Sequence, residues 1–135
     1  MIVGENNVLE AAKFFTWMDE NGIVKTRVKP SCDIHLEDAI ENSKLVNSFE
    51  LKQNQKGYPL IVDLRELKSI TKEARKYFAM KNRETKVIAI AMVVESSFSR
   101  MVANFYLGIN KPNVPVKLFN EDWKAEEWCF KFLSD

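Results

Sequence analysis

The stretch LIVDLRELKSITKEAR, Leu60 to Arg75, decides the fold. It opens as a short apolar strand, Leu60 to Leu64. A strand of this kind suits a parallel sheet covered on both faces. Asp63 sits at its end, a loop follows, and Thr71 stands where a helix over about Lys72 to Lys81 needs an N-cap. In parallel α/β proteins the turn from strand to helix is where working groups gather.

Outward from that stretch the chain alternates strand and helix. Lys13 to Met18 (KFFTWM) and Ile23 to Val28 (IVKTRV) read as strands, and the DENG between them predicts a hairpin, because Asn and Gly both tolerate positive φ. A helix is expected from about Leu36 to Leu51, with Asp33 or His35 as acceptor for its first amides. Val87 to Val94 (VIAIAMVV) is long and β-branched enough for a central strand. Ser96 or Ser97 caps a third helix whose apolar stripe is Phe98, Met101, Val102, Phe105 and Ile109, ending at Gly108. Val116 to Phe119 is the last strand, and Asn120 caps a last helix from Glu121 to about Leu133. The order β-β-α-β-α-β-α-β-α predicts an α/β fold: a mostly parallel five-strand sheet with an N-terminal hairpin and helices packed around it. Residues 1–11 are expected to form a flexible arm and residues 12–135 one domain.

Composition narrows the function. With 20 basic and 19 acidic residues the net charge is +1, so no overall field recruits nucleic acid. No apolar run approaches the ~20 residues of a membrane span, and the first residues lack the pattern of a signal peptide. Cys32 and Cys129 are isolated, as expected of reduced cysteines in a cytoplasmic protein. His35 is the single histidine, which argues against a two-histidine metal site, and no phosphate-binding glycine loop occurs. The expectation is a protein without catalytic residues, metal or cofactor.

Four stretches carry a resemblance: LEDA (Leu36 to Ala39), VDLRELKSITKEAR (Val62 to Arg75), SRMVANFYLGINKP (Ser99 to Pro112) and KLFNEDWKAEEW (Lys117 to Trp128). Together with the element order they resemble the SpoIIAA-like superfamily of anti-sigma-factor antagonists, and more closely the bacterial STAS/SEC14 domain-containing proteins of unknown function. The resemblance implies a regulatory or protein-interaction module with an unidentified protein partner. Its SEC14 side implies the alternative of a small carrier for a lipid or other apolar ligand, which 9 Phe and 5 Met permit. The antagonists carry an Asp-Ser-Ser-Gly at the helix start, and a partner kinase phosphorylates one of the serines. Here those positions are Thr71, Lys72, Glu73 and Ala74, so the phospho-acceptor serine is absent.

Three surfaces remain as candidates. Arg65, Lys68, Ser69, Thr71, Lys72, Arg75 and Lys76 make a basic edge beside the quoted stretch, expected to dock an acidic partner; the plainer reading is a solvated helix face with Thr71 as its cap. On the last helix Trp123 and Phe130 fall opposite the core stripe of Ala125, Trp128, Cys129, Phe132 and Leu133, which predicts a homodimer contact unless Trp123 folds back over the preceding loop. On the third helix Arg100, Ala103, Asn104 and Leu107 point away from the expected core stripe, and Arg100, Asn104 and Leu107 form a third, chemically plain surface.

Overall fold

The structure, a computed structural model, describes residues 2–3, 7–78, 85–109 and 114–133, with side chains at 7–78, 85–104 and 114–133. In chain order the elements are β1 (Ile2–Val3), β2 (Leu9–Glu10), β3 (Phe14–Met18), β4 (Val24–Val28), β5 (Cys32–Ile34), α1 (Leu36–Val46), β6 (Tyr58–Asp63) and β7 (Leu67–Ile70). They continue with α2 (Lys72–Phe78), β8 (Val87–Val93), α3 (Ser97–Ile109), β9 (Val116–Phe119) and α4 (Asp122–Cys129), followed by a 3₁₀ turn at Phe130–Phe132.

The main sheet runs β1-β2-β3-β4-β6-β8-β9. The first three pairings are antiparallel and the last three parallel. The five expected strands are therefore present and adjacent, with the hairpin at one side and the Val87–Val93 run in the parallel half. Two features go beyond the expectation. Residues 1–11, read as an arm, contribute two short strands beside β3. Cys32–Ile34 and Leu67–Ile70, read as loops, pair in parallel as a separate two-stranded ladder. Runs of three and four residues are too short for periodicity to reveal, and here tertiary pairing makes them strands.

The hairpin turn differs in detail from a two-residue Asn-Gly turn. The Gly22 N–H donates to the Asp19 carbonyl at 3.1 Å. The Asp19 carboxylate accepts from the N–H groups of Asn21 and Ile23 at 2.9 and 3.0 Å. Within the turn only Gly22 takes positive φ, at 95°, so a single left-handed glycine follows the turn.

The sheet has two unlike faces. Phe14, Val28, Ile34, Ala39, Leu67, Ala74 and Val102 form one cluster, which joins β3 and β4 to α1, α2 and α3. Val24, Val46, Tyr58, Leu60 and Val87 continue that face, as do Met92, Val94 and Ala103. On the opposite face Ile23, Ile61, Ala91 and Val93 pack against Ala125 and Cys129 of α4.

The helices depart from their expected limits. α1 stops at Val46 rather than near Leu51, and His35 occupies its N-cap position. The His35 N–H donates to the Asp38 carboxylate at 2.9 Å. α2 begins where expected, and its end lies outside the described residues. α3 is capped by Ser96, whose Oγ accepts from the Ser99 N–H at 3.0 Å. Among its described side chains the buried positions are Ser99, Val102 and Ala103, whereas Met101 is 56% exposed. This corrects the expected stripe: the small residues Ser99 and Ala103 let the helix approach the sheet, and Met101 is turned out. The side chains of Phe105 and Ile109 lie outside the described residues. The N-cap of α4 is Glu121 rather than Asn120.

Candidate functional site

The end of β6 holds a clamp. Asp63 is 7% exposed. Its carboxylate accepts from the Arg65 backbone N–H at 3.0 Å and from the Arg65 guanidinium at 3.0 and 2.7 Å. The same guanidinium donates to Asp122 at the start of α4, at 2.9 Å. Hydrogen bonding to Asp63 holds Arg65 above its ordinary pKa, against a smaller opposing effect of burial. Asp63 therefore fastens the strand to the helix on the far face, and Arg65 is committed to two carboxylates. It leaves the basic edge that the sequence groups it with.

The rest of that edge runs along β7 and α2. The Thr71 Oγ1 accepts from the Ala74 N–H at 3.2 Å, the expected cap. The Ser69 hydroxyl donates to Asp33, and this bond, more than the nearby Lys68, Lys13 and His35, draws the exposed Asp33 carboxyl below its ordinary pKa. Asp33 thus serves β7, and of the two cap candidates, Asp33 and His35, it is His35 that takes the N-cap position. Arg75 is half-buried and donates to the Ile70 carbonyl at 3.3 Å. Lys68, Lys72 and Lys76 are exposed and make no ion pair among the described residues. The seven residues grouped by sequence thus resolve into three free cations and four structural groups.

On α4 Trp123 and Phe130 are 58% and 48% exposed, while Ala125 and Cys129 are buried against the sheet. The Trp123 indole N–H donates to the Glu121 carboxylate at 3.1 Å, so the ring leans back two residues and still faces water. Burial pushes the Cys129 thiol up to about 12, which makes it inert at neutral pH. On α3 Arg100 and Asn104 are exposed, whereas Ala103, expected to point away from the core, is fully buried. The Leu107 side chain lies outside the described residues. Among the described residues no three His, Cys, Asp or Glu side chains gather to hold a metal, and no helix is long and apolar enough to cross a membrane.

The sequence reading passed over a further surface. Cross-strand register sets Glu10, Phe15, Arg27, Asp63 and Val93 in one row across the sheet, and Trp17, Lys25, Ile61 and Ala91 in the next. Residues paired in register share a face, and Ile61, Ala91 and Val93 place both rows on the α4 side. α4 packs on β6, β8 and β9 and reaches β4 through an ion pair of Glu126 with Lys25 at 2.7 Å. Phe15, Trp17 and Arg27 are left without a covering helix among the described residues: the rings are half-buried and Arg27 is exposed. A groove of about 120 Å³ runs between this bare floor and α4, lined by Trp17, Arg27, Asp63, Asp122 and Glu126 among others. It is well below the roughly 300 Å³ at which small-molecule pockets begin. The signal was present in FFTWM, which is apolar at both alternating sets of positions.

A family model described as "Domain of unknown function (DUF7793)" matches residues 16–133, and the chain belongs to that family. No curated protein matches it. Among solved structures it is similar to an uncharacterized protein from the DUF3478 family with a SpoIIAA-like fold from Shewanella loihica PV-4. That match has a TM-score of 0.59 and 10% identity, over 86% of this chain and 91% of that one. A protein of unknown function from Arthrobacter sp. fb24 aligns at 24% identity over 84% of this chain and 90% of that one, with a TM-score of 0.31. The first likeness shows that the fold is SpoIIAA-like.

Proposed function

We propose that this DUF7793 member is a non-enzymatic docking module of the bacterial cytoplasm, which binds an acidic protein surface at the β7–α2 edge. The narrower kinship with STAS/SEC14 proteins and anti-sigma-factor antagonists is part of the proposal. The observation that carries it is the set of three exposed lysines, Lys68, Lys72 and Lys76, without ion pairs among the described residues. The hydroxyls between and beside them are engaged, Ser69 with Asp33 and Thr71 with the Ala74 amide. A fixed charge pattern therefore stands where the antagonists change charge by phosphorylation. Contacts of this kind set association rate and salt sensitivity more than final affinity.

The test is affinity capture from host lysate at low and high salt, comparing the wild type with Lys68→Glu, Lys72→Glu and Lys76→Glu combined. A partner held by the wild type, released by salt and lost from the triple variant supports the site. Thr71→Ala should keep the partner while losing stability. Equal capture by the triple variant overturns the site, and binding that requires phosphate on Ser69 or Thr71 overturns the constitutive form. Saturable micromolar binding of ATP or GTP would count against a module without activity of its own.

A further inference from the structure

We propose that two copies of this chain pair face to face, the outer stripe of α4 on each protomer lying on the bare β3–β4 floor of the other. This contact is separate from the β7–α2 edge and does not depend on that reading.

The two surfaces complement each other. On the floor the Arg27 guanidinium carbon lies 5.9 Å from the Phe15 ring centroid and 5.8 Å from that of Trp17, and Arg27 makes no ion pair among the described residues. Along α4 and into the 3₁₀ turn that continues it, Trp123, Glu127 and Phe130 recur at i, i+4 and i+7, which puts them on one stripe. All three are exposed, and Glu127 likewise makes no ion pair among the described residues. A cation between two rings on one surface thus matches a carboxylate between two rings on the other. Rings and arginine are the groups that most often anchor an interface.

The layering agrees. α4 turns Ala125 and Cys129 to its own sheet and Trp123, Glu127 and Phe130 away from it. It covers the β6–β8–β9 half of that face. A second α4 beside the first covers the β3–β4 half, so that each helix lies between two sheets. In this face-to-face arrangement the two contacts, stripe on floor and floor on stripe, are related by one twofold axis, so the contact is isologous and closes at two copies. Charge argues against a polyanion such as single-stranded nucleic acid. Lys25 and Lys29, the other cations of the floor, are paired with Glu126 and Glu10 at 2.7 and 2.6 Å, and Asp63 and Asp122 border the groove. Among the described residues, one cation on the floor without an ion pair suits one carboxylate on the stripe without one.

The test is sedimentation of the full chain from about 1 to about 200 μM, spanning micromolar association, with Arg27→Glu, Glu127→Arg and the two combined. The expected result is a wild-type dimer, a dissociation constant raised about tenfold or more in either single variant, and a dimer restored in the double variant. A wild type that stays monomeric, single variants that dimerise unchanged, or a double variant as weak as the singles each overturns the pairing. Circular dichroism checks that the reversals leave the fold intact. Should either disturb it, Trp123→Ala with Phe130→Ala decides: retained dimerisation overturns the proposal, and loss of the dimer supports it.

Discussion

On one face of the sheet α1, α2 and α3 bury Phe14, Val28 and Ile34 to 3% exposure or less, and the polar side chains of Thr16, Thr26, Asn42 and Tyr58 there are paired. Thr16 and Thr26 share a hydrogen bond at 2.9 Å, Asn42 donates to Thr26 at 2.8 Å, and the Tyr58 hydroxyl donates to the Val46 carbonyl at 2.6 Å. On the other face one helix covers one half, and two rings and an arginine stand beside it partly in water. The strand β3 shows the contrast within five residues: Phe14 and Thr16 are buried on the first face, Phe15 and Trp17 only half-buried on the second. Folding alone fills the first face with packed apolar groups. A second face that is equally apolar at β3 yet lacks a cover marks a surface kept for contact.

The contrast can be broken most directly by truncation. Ile34→Ala, at 1% exposure, should cost about 2–5 kcal/mol in urea unfolding. Trp123→Ala, at 58% exposure, should shift stability by no more than about 0.5 kcal/mol when measured at monomer concentrations. Similar losses from the two would erase the distinction between faces. Next in size is Gly57→Ala. A Cβ there would stand 2.3 Å from Ile88 Cγ2 and 2.5 Å from the Lys86 carbonyl oxygen. The carbonyl belongs to the backbone leading into β8, and Tyr58 N–H bonds it at 2.9 Å. The substitution should cost about 1–3 kcal/mol, and a neutral result would show that the start of the β6–β8 ladder yields.

Smaller effects sharpen the account of the sealed side. Thr71→Ala removes the acceptor for the Ala74 amide and should cost about 1 kcal/mol. An unchanged urea midpoint would mean that packing of Ala74 holds α2 without its cap. The smallest effect concerns pH. Asp33 has a folded-state pKa lowered chiefly by the Ser69 hydroxyl. The stability it adds is therefore present above the ordinary carboxylate pKa and is lost as pH falls through the lowered value. Ser69→Ala should flatten the acid limb of the stability profile, read as the difference in unfolding midpoint between neutral and acid pH. A parallel limb in both proteins would show that the bond does not persist in solution.

Much of the fold was legible because long patterns are hard to disguise. Val87 to Val94 has no helical alternative of that length, Asn21-Gly22 marks a turn, and Trp123 and Phe130 cannot share a helix face with Ala125 and Cys129. Short or distributed features were not legible. Leu67–Ile70 becomes a strand through Cys32–Ile34, about thirty-five residues earlier. Arg65 read as a surface cation because its second carboxylate, Asp122, lies 57 positions away. Met101 was placed in the core because hydrophobicity ranks it above Ser99 and Ala103, whereas close packing on the sheet favours the smaller pair.

The strand β3 carries one more consequence. Its outer edge is paired with β2 at just Leu9 with Thr16 and Glu10 with Phe15, and β1 closes over β2 in turn. An edge whose strand is apolar on both faces is a template for endless pairing with other chains, and natural sheets blunt such edges with short strands and charges. Glu10, bound to Lys29 at 2.6 Å, and Lys13 at the approach to β3 are charges of that sort. The two short strands β1 and β2 thus act as a guard against aggregation. A chain cut to begin at Ala11 should precipitate on refolding rather than merely melt earlier, and fibrils grown from it should be seeded by β3.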